Sequence, residues 1–341
     1  MFSLPRLPID EKDEDHNASA IALKASFPKT VGSRQDATGS TDDKVFSPVS
    51  TSKIGRRQWN EEIDDPWQYN AWDNVAWDEE QQKYADDLVA KQVASPVSDE
   101  LQEKFNSAPA DYWDTFYLSR KDTFFKDRAW LRNEFPSLAD VVKPNSGPVR
   151  IAEIGCGPGN TTYPILAANE NSELMIYSLD YSKKAIEVLK ENPAYDPSRC
   201  TGIVWDMSST ELPPSIVPGS LDIAIMIFCF SALHPDEWAQ TVRNVYTMLK
   251  PGGRVLFRDY ARYDLTQLRM KGSRYMQDNL YIRGDGTRVY FFHKGLFCSN
   301  KFELIRMTLD RRLLLNRARK LKMYRMWLQV CTDTFLHAKS F

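Results

Sequence analysis

The chain has 341 residues, of which 42% are hydrophobic, and its formal net charge at pH 7 is −2. A chain of this length can bury one large core with appendages, or two small domains. It contains no apolar run of the ~18 residues that a membrane helix needs, which argues against an integral membrane protein. The N-terminus turns acidic within ten positions, unlike a signal or transit peptide, so we expect a cytoplasmic protein.

The cysteines are odd in number, widely spaced and free of any CxxC pair. They are Cys156, Cys200, Cys229, Cys298 and Cys331. This pattern is typical of reduced thiols and argues against a disulfide framework or a zinc site. We therefore expect no bound metal.

Opposite charges are concentrated in two segments. Residues 58–112 contain 14 acidic and 3 basic residues, a balance of −11. Residues 250–341 contain 20 basic and 7 acidic residues, a balance of +13. Either the two segments neutralise each other within the fold, or the basic segment binds a polyanion. Charge alone does not decide between these two interpretations.

Composition divides the chain into three parts. Residues 1–57 are rich in Ser, Thr, Asp and Lys and have no apolar period, which predicts a disordered tail. Residues 58–145 form an N-terminal extension that opens with four tryptophans among acids and continues into a predicted helix from Asp78 to Val93. Linkers seldom carry so many tryptophans, so we expect the extension to pack against something. Residues 146–341 are predicted to form the main domain.

Strands and helices alternate from residue 149 onward, which predicts right-handed crossovers and a parallel sheet. The predicted strands are residues 149–154, 173–180, 200–206, 221–230, 254–260, 287–292 and 322–331. We therefore predict an α/β fold with a seven-stranded, Rossmann-like sheet. The last two strands are expected to be joined by a short connection near residues 296–306.

The stretch IAEIGCGPGN, residues 151–160, places a glycine turn between the first strand and a helix. Gly155 and Gly157 let the backbone approach a ligand closely. The spacing differs from the GxGxxG of nicotinamide-binding loops, and Glu153, two residues before the first glycine, would repel a pyrophosphate. A cationic ligand fits better, and S-adenosylmethionine has an ammonium, a sulfonium and no phosphate.

Three residues near the ends of the next strands strengthen this interpretation. Asp180 ends the second strand and can accept both ribose hydroxyls, with a helix N-cap as the alternative. Asp206 ends the third strand and can accept from the adenine amino group, unless it is an ordinary loop acid. Ile227 can pack on the adenine face, although most such residues belong to the core. Together these positions predict a class I S-adenosylmethionine-dependent methyltransferase fold.

The region after the fourth strand narrows the choice of atom that can accept the methyl group. FSALHP stands where a [DN]PP[YFW] motif would indicate methylation of an exocyclic amine. Cys229 lies in an apolar stretch without the preceding proline of a carbon-5 methyltransferase, so we interpret it as structural. We interpret His234, which precedes a proline in a strand-to-helix turn, as structural rather than as a base.

Arginines and aromatic residues alternate just beyond the fifth strand. The stretch LFRDYARYDLTQLR places Arg258, Asp259 and Tyr260 at the predicted active edge. The stretch DTFFKDRAWL adds Phe125 and Arg128 from the N-terminal extension. This pattern suits a flipped, stacked base beside phosphates, and a salt-bridged loop is the alternative.

With these motifs the sequence resembles the tRNA N3-methylcytidine methyltransferases, which modify position 32 of the anticodon loop in threonine or serine tRNAs. The resemblance runs from about Asn70 to Cys331 and rests on AWDNVAWDEEQ, YWDTFY, FFKDRAWL, EIGCGPGN, NPAYDPSRC, GSLDIAIMIFCFSALHPD, LKPGGRVLFRDYARYDLTQLR, GDGTRVYFF and DRRLLLNRARKLKMYRMWLQ. The segment AWDNVAWDEEQ resembles the threonine-tRNA branch. The sequence departs from the family at Ala261, usually glycine, and at residues 291–297, where the connection is about one helical turn shorter.

The resemblance implies S-adenosylmethionine as cofactor and threonine tRNA as substrate, and it leaves open an aminoacyl-tRNA synthetase as a partner. It implies that FFKDR and RDYARYD border the cytosine pocket. It implies cofactor contacts from Trp113, Tyr117, Gly155, Asp180, Asp206 and Ile227. Serine tRNA, a small-molecule or protein acceptor on the same fold, and a non-catalytic cofactor-binding scaffold are the alternatives.

For such a reaction the cytosine N3 lone pair is free at neutral pH, so positioning and charge stabilisation matter more than a general base. We hypothesise that Asp259 faces the developing positive charge and the exocyclic amine. Arg258 and Arg128 would hold phosphate or the base carbonyl, and Tyr260 or Phe125 would stack on the base. The extension is expected to bind tRNA and close the pocket, and the basic residues 311–322 are expected to bind the tRNA backbone in a salt-dependent way.

Overall fold

The structure, a computed structural model, describes residues 57–60, 64–120, 122, 124–296 and 301–335. The predicted disordered tail therefore lies outside the described residues, apart from Arg57, and so does Cys298. The strands are β1 (Ala71–Asp73), β2 (Val149–Ile154), β3 (Leu174–Asp180), β4 (Cys200–Val204), β5 (Leu221–Ile227), β6 (Leu249–Tyr260), β7 (Tyr275–Gln277), β8 (Leu280–Ile282), β9 (Arg288–Tyr290), β10 (Phe302–Asn316) and β11 (Leu321–Thr334).

The helices surround the sheet and fill the N-terminal extension. They are α1 (Glu79–Val93), α2 (Asp99–Ser107), α3 (Pro109–Arg120), α4 (Leu131–Glu134), α5 (Pro136–Val141), α6 (Thr162–Ala167), α7 (Lys183–Glu191), α8 (Trp238–Met248) and α9 (Leu265–Leu268). The predicted helix from Asp78 to Val93 is confirmed as α1. It begins at a capping box, in which Asp78 Oδ1 accepts from the Gln81 amide at 2.7 Å and the Gln81 side chain accepts from the Asp78 amide.

The main sheet has the strand order β4-β3-β2-β5-β6-β11-β10-β1. The five strands β4, β3, β2, β5 and β6 pair in parallel, whereas β11, β10 and β1 are added in antiparallel fashion. The predicted α/β, Rossmann-like fold is confirmed by this order. The sheet has eight strands rather than seven because β1, from the extension, adds a short edge strand along β10.

One predicted strand is wrong. Residues 287–292 contain β9, which belongs to a separate three-stranded sheet with the order β7-β8-β9. The strand missing from the prediction is β10, which pairs with β11 in a long hairpin where the sequence predicts a short connection. Charged residues interrupt the apolar pattern of β10, and they fit into a strand because oppositely charged groups in the fold pair with them. Asp310 with Arg258 and Arg312 with Asp73 are two such pairs.

Apolar side chains pack on both faces of the sheet, so central β5 is buried along its whole length except Asp222. One face holds Ala224 and Met226 within a large cluster that includes the aromatic residues Phe230, Phe257 and Phe292. The opposite face holds Ile223, Ile225 and Ile227, packed with residues of α4 and α5. This layering leaves the carboxyl ends of the parallel strands as the open edge.

The tryptophan-rich start of the extension packs against the chain itself. Trp72 lies with Leu313 and Leu315 of β10 in a small core, against which Trp59 and Trp67 also pack. Arg312 adds an ion pair to Asp73 at 2.8 Å. The expected docking of this segment is therefore onto the C-terminal hairpin.

Four of the five cysteines lie within the described residues, and Cys156, Cys200, Cys229 and Cys331 are buried free thiols. Among the described helices, none has the length and apolarity that crossing a membrane requires.

Candidate active site

A pocket opens at the carboxyl ends of the parallel strands, the edge at which α/β sheets bind ligands. The strand ends and their turns supply Gly155, Cys156, Gly157, Pro158, Asn160, Asp180, Tyr181, Asp206, Met207, Ser208, Phe228, Cys229, Ala232, Leu233 and Glu237. The extension supplies Pro109, Trp113, Tyr117, Phe125 and Arg128, and β9 supplies Arg288. The structure thus brings together most of the residues that the sequence predicts for the site.

The glycine turn is shaped for close approach. Gly155 and Gly157 have φ angles of +68° and +55°, a region that other residues rarely adopt. A Cβ atom at Gly155 would overlap the Cβ of Cys229, and one at Gly157 would lie 2.7 Å from the Tyr117 hydroxyl. A larger residue would therefore collide with the turn after β5 at position 155 and with α3 at position 157.

Asp180 holds this turn in place. Its Oδ2 accepts from the Gly157 amide at 2.8 Å, and its Oδ1 accepts from the Ser182 amide at 2.9 Å. Burial raises the pKa of the Asp180 carboxyl to about 6, although the two amide hydrogen bonds oppose the shift. Each carboxylate oxygen has a second lone pair, so the side chain can still accept ligand hydroxyls.

Asp206 lies two residues beyond β4, on the next wall of the pocket. Its Oδ1 accepts from the amide of Ser208 at 2.8 Å and from the hydroxyl of Ser208 at 2.7 Å. Tyr181 and Met207 line the pocket beside it. This wall therefore offers an apolar slot with a carboxylate at one side, as an adenosine moiety needs.

Glu153 lies beneath the glycine turn and is 1% exposed. Its Oε2 accepts from the Thr162 hydroxyl at 2.5 Å, and Arg128 Nη1 lies 3.9 Å from its Oε1. Within the described part of the chain, Oε1 has no hydrogen-bond partner. Burial raises the pKa of Glu153 to about 6, and nearby Arg128 opposes the rise. A buried carboxylate oxygen without a donor fits a cationic ligand.

Helix α3 forms the wall opposite the strands. Trp113 stacks on Tyr117 with ring centroids 6.1 Å apart and an interplanar angle of 28°. Asp114 fastens the helix to the start of α7, because its Oδ1 accepts from the Ser182 hydroxyl at 2.5 Å and the Lys184 amide at 3.1 Å. Trp113 and Tyr117, for which the resemblance implies cofactor contacts, thus lie in the pocket wall.

The FFKDR segment is fastened to the glycine turn by Asn160. The Asn160 side-chain amide donates to the Phe125 carbonyl at 3.2 Å and to Asp127 at 3.1 Å, while the Arg128 amide donates to the Asn160 carbonyl at 2.7 Å. The Arg128 guanidinium lies 5.9 Å from the ring centroids of both Phe125 and Phe228. Phe125 and Arg128, which are predicted to stack on the base and to hold phosphate or the base carbonyl, therefore line the same pocket as the glycine turn.

Asp259 is fully buried and does not line the pocket in the described structure. Its carboxylate accepts from the Ser231 amide at 2.9 Å and from the Tyr260 amide at 2.8 Å. Burial raises its pKa to about 6, against the effect of these bonds. The placement differs from the predicted direct contact with a base, because two backbone amides in the turn after β5 and at the end of β6 occupy the carboxylate.

Arg258 also differs from its predicted role. Its side chain is 2% exposed and pairs with Asp310 at 2.5 Å, and it donates to Gln329. Its guanidinium lies 4.7 Å from the Trp327 ring centroid and 5.3 Å from that of Trp130. Consecutive residues of a strand project from opposite faces of the sheet, so Arg258 and Asp259 lie on different faces. On its face Arg258 extends over the antiparallel strands to Asp310, and it does not line the pocket in the described structure.

Phe228, and not Ile227, lines the pocket among the described residues. Ile227 is 1% exposed in the core beside α4 and α5, which corrects its predicted contact with adenine. The strand ends at Ile227, and Phe228 adopts a φ of +56° that turns its ring towards the opening. Tyr260 lies behind it, with ring centroids 5.0 Å apart.

The structure supports the sequence interpretation of Cys229 and His234. Cys229 lines the pocket, but burial, aided by nearby Asp259, raises its thiol pKa well above the usual value. A thiolate nucleophile is therefore disfavoured. His234 lies 3.2 Å from Asp236 and caps the turn that leads into α8, and it does not line the pocket in the described structure.

Sequence reasoning missed the ion pair between Arg288 and Glu237. Arg288 Nη2 lies 3.0 Å from Glu237 Oε2, and its other nitrogens donate to the Ala232 carbonyl and to Asn106 of α2. The pair joins the small sheet, the extension and the turn after β5 at the pocket. Its members are about 50 positions apart in sequence, so no local pattern predicts it.

These residues fit S-adenosylmethionine. The turn without side chains and the two strand-end carboxylates line the pocket and match a ligand with a ribose. Buried Glu153 adds negative charge beneath the turn, which suits an ammonium. Fold and pocket together define a class I S-adenosylmethionine-dependent methyltransferase, and this cofactor is the one the class uses.

Comparisons with known proteins identify the family. A family model for a methyltransferase domain matches residues 152–255. The Schizosaccharomyces pombe tRNA N(3)-methylcytidine methyltransferase trm140 is 46% identical over 301 residues, covering 87% of this chain and 96% of that protein. The Xenopus tropicalis tRNA N(3)-cytidine methyltransferase METTL2 is 40% identical over 309 residues, covering 79% and 92%. The chain belongs to the tRNA N3-cytidine methyltransferase family.

A third relative is the tRNA(Thr) (cytosine(32)-N(3))-methyltransferase of Saccharomyces cerevisiae. It is 46% identical over 287 residues, covering 82% of this chain. The match covers 46% of that protein, so this chain spans about half of its length.

Proposed function

We propose that this chain transfers a methyl group to N3 of cytosine 32 in the anticodon loop of threonine tRNA, in the cytoplasm. The observation that carries the proposal is a cofactor pocket lined also by Phe125, Arg128 and Phe228, in a chain 46% identical to a relative named for threonine tRNA and position 32. Aromatic rings beside a guanidinium group suit a flipped base beside phosphate.

S-adenosylmethionine, when bound, supplies an electrophilic methyl group. The residues of this chain then need only hold the cytosine N3, whose lone pair is free at neutral pH, and tolerate the positive charge that forms on the base. Arg128 and Phe125 are proposed to hold the base at the rim. Trp113, Tyr117, Gly155, Gly157, Asp180 and Asp206 are proposed to hold the cofactor.

We assign Asp259 a positioning role. It holds the Ser231 amide and therefore the turn that carries the pocket-lining residues Cys229 and Ala232. Its negative charge lies in a fully buried site close to that turn, where charge acts strongly on its surroundings. Tyr260 supports Phe228 from behind.

The extension of residues 58–145 is proposed to close the pocket and to bind tRNA, and residues 146–341 to form the methyltransferase domain. Helix α3 already forms one pocket wall. At the tip of the β10–β11 hairpin, Arg317, Arg319, Lys320 and Lys322 are exposed. This tip is proposed to bind the tRNA backbone. The exposure of its basic side chains favours the interpretation in which the basic segment binds a polyanion.

A methyl-transfer assay tests the proposal. The full chain is incubated with S-adenosylmethionine and with threonine or serine tRNA transcripts, and the nucleosides are identified by mass spectrometry. We expect 3-methylcytidine in threonine tRNA and none in a transcript with uridine at position 32.

Other products would change the conclusion in defined ways. Methylation of serine tRNA alone would move the chain to the other branch. Product that forms only after addition of an aminoacyl-tRNA synthetase would establish that partner. 5-Methylcytidine, or no product with any tRNA from cells, would overturn the proposed reaction.

A further inference from the structure

Three aromatic rings follow one another from the pocket rim across the antiparallel half of the sheet. Phe228 lines the pocket, and its ring centroid lies 5.0 Å from that of Tyr260. Tyr260 of β6 is paired directly with Trp327 of β11. Residues directly opposite in an antiparallel pair project from the same face with Cβ atoms about 5 Å apart. The rings are partly exposed and form what we call the aromatic row.

Each ring of the aromatic row has a guanidinium group near its centroid. Arg128 lies 5.9 Å from the Phe228 ring, Arg283 5.5 Å from the Tyr260 ring and Arg325 5.1 Å from the Trp327 ring. The three arginines come from the extension, the loop after β8 and β11, so they are brought together by the fold. Rings with adjacent cations are the arrangement that binds single-stranded nucleic acid, whose bases stack while its phosphates meet positive charge.

Trp327 has unused bonding capacity at the far end of the row. Its Nε1 is buried and has no hydrogen-bond partner within the described residues, and neither has Arg283 Nε. By contrast, the indole nitrogens of Trp72 and Trp205 donate to backbone carbonyls at 2.8 and 2.9 Å. Burying a donor without a partner costs about 1–3 kcal/mol. A small movement of the ring on binding RNA would expose this nitrogen to a nucleotide oxygen and remove that cost.

The unpaired indole alone does not define a site, because Trp238 Nε1 is also without a partner in the described structure. Trp238, however, packs among the aromatic rings of Phe230, Tyr290 and Phe292. Trp327 instead has three guanidinium groups around it, from Arg258, Arg312 and Arg325, at 4.7, 5.5 and 5.1 Å. Each of these arginines also pairs with a carboxylate, Arg258 and Arg312 with Asp310, and Arg325 with Asp264 at 2.9 Å. Trp327 thus lies in a polar, ion-paired setting, whereas Trp238 lies among apolar rings.

We propose that the aromatic row is the track of the single-stranded anticodon loop, with a nucleotide beside the target cytosine stacked on Trp327. The target base enters at Phe228, and the backbone follows the guanidinium groups of Arg128, Arg283 and Arg325. The inference rests on the proposed function and adds a second base-binding subsite, on β11, to the one that lies where β5 ends.

The alternative is that Trp327 merely packs the arginines of the buried ion pairs. If Trp327 had only this structural role, W327L would lower the stability of the fold, and its effects would not depend on which RNA is bound. The experiment therefore measures RNA stacking directly, alongside kinetics and folding.

The substrate is an anticodon stem–loop with 2-aminopurine at the nucleotide on either side of the target cytosine. Wild type, Trp327→Leu, Trp327→Phe and, as a matched control, Trp238→Phe are compared. Loss of base–aromatic stacking is worth about 1–3 kcal/mol per base, or roughly 5- to 150-fold, so we expect W327L to raise the KM for RNA within this range. W327F retains a ring and should raise it less than about threefold, as should W238F.

Fluorescence gives the second readout. Stacking on Trp327 should quench 2-aminopurine at one flanking position in wild type and in W238F, and W327L should abolish that quench. The affinity for S-adenosylhomocysteine should stay within about twofold of wild type in all three variants. The reason is that neither Trp327 nor Trp238 lines the cofactor pocket in the described structure. Wild type that methylates the stem–loop while W327L keeps its KM and quench would overturn the inference and leave the proposed function intact. Wild type that methylates neither the stem–loop nor any tRNA from cells would overturn the proposed function, and with it this inference.

A third readout needs no substitution, in case W327L does not fold. Wild-type protein is irradiated with a stem–loop that carries 5-iodouridine at the quenched position, and the cross-linked peptide is sequenced. A cross-link to Trp327 supports the subsite. A cross-link confined to the extension or to the hairpin tip overturns it.

Discussion

In the parallel half of the main sheet, buried charge is acidic and is held by backbone amides and hydroxyls. In the antiparallel half it takes the form of arginine–carboxylate pairs between strands. Asp180 and Glu153 represent the first arrangement, with donors from the glycine turn and from α6. Arg258 with Asp310 and Arg312 with Asp73 represent the second.

The contrast is the one expected of a sheet that serves two ligands of opposite charge, as proposed above. The parallel half places buried carboxylates at and beneath the pocket that holds the cofactor, a small cation. The antiparallel half neutralises its buried arginines internally, so that the sheet stays folded, and offers guanidinium groups over aromatic rings at its surface. Substitutions in either half test this division, and those that leave a buried charge unpaired should have the strongest effects.

The substitution Arg258→Met should lower the free energy of unfolding by about 3–5 kcal/mol, because it removes the closer of the two guanidinium groups that pair with buried Asp310 and leaves only Arg312 Nε at 3.4 Å. Urea denaturation measures the change. The matched control is Arg254→Met on the same strand, whose pair with Asp333 is 36% and 21% exposed and should be worth less than about 1 kcal/mol. An R258M protein that is as stable as wild type but inactive would return Arg258 to the substrate site.

The substitution Asp180→Asn should weaken S-adenosylhomocysteine binding by about 10- to 100-fold, because its amide group cannot accept from both Gly157 and Ser182. Isothermal titration calorimetry measures the affinity. Asp206→Asn is the comparison, since its remaining oxygen can still accept both bonds from Ser208. Equal affinity in D180N and wild type would show that the glycine turn holds its shape without the carboxylate.

S-adenosylmethionine binding should weaken as pH falls below 6, because the carboxyls of Glu153 and Asp180 have pKa values of about 6 and lose their charge there. Each group that must be ionised contributes up to about tenfold per pH unit. The stability contribution has the opposite sign. The folded pKa exceeds the ordinary value, so the native state binds more protons than the unfolded state between about pH 4 and 6 and gains stability as pH falls.

Glu153→Gln separates the two effects. In the variant, S-adenosylmethionine binding should depend less steeply on pH, because only Asp180 still titrates. The variant should also lack the increase in unfolding free energy that protonation of Glu153 gives wild type as pH falls. Titrations from about pH 5 to about pH 7.5, a range that brackets the raised pKa, measure both. A wild-type affinity that is flat across this range would show that the cofactor does not need these ionised carboxylates.

Neutralising the hairpin tip with Arg319→Gln and Lys322→Gln should weaken tRNA binding modestly. It should also reduce the slope of log affinity against log salt by about 1 for each phosphate that is no longer neutralised. Filter binding at several salt concentrations measures the slope. Lys143→Gln, at an exposed lysine paired with Asp140, is the control and should leave the slope unchanged. An unaltered slope in the tip variant would favour internal neutralisation of the basic segment.

Cys229→Ser should change kcat/KM by less than about threefold, because burial keeps this thiol protonated and it serves the wall of the pocket. The methyl-transfer assay measures the rate. Complete loss of activity in a folded C229S protein would indicate a covalent cysteine mechanism. The parallel half would then supply a nucleophile as well as the cofactor site.

Features encoded within one short segment could be predicted from the sequence. The glycine turn, Asp180 at the end of β3 and the N-cap at Asp78 each depend on neighbours within a few positions. Phe125 and Arg128 are predictable because aromatic and basic residues alternate in one stretch. The pocket, as far as these residues define it, follows from strand ends meeting at one edge of a parallel sheet.

Features that depend on distant partners could not be predicted. The sequence of β10 does not predict a strand, because its charges find their partners on β6, β1 and α4. The choice of Phe228 over Ile227 depends on where β5 stops pairing and on a left-handed residue after it.

The fold class, the cofactor chemistry and the residues of the parallel half were therefore determined by the sequence, because local turns and strand ends encode them. Tertiary structure decided which arginines are neutralised, which carboxylates are enclosed, and which rings form the aromatic row. Those outcomes depend on the burial and alignment of residues that are far apart in the sequence, and the free-energy cost of a buried charge depends on whether it has a partner.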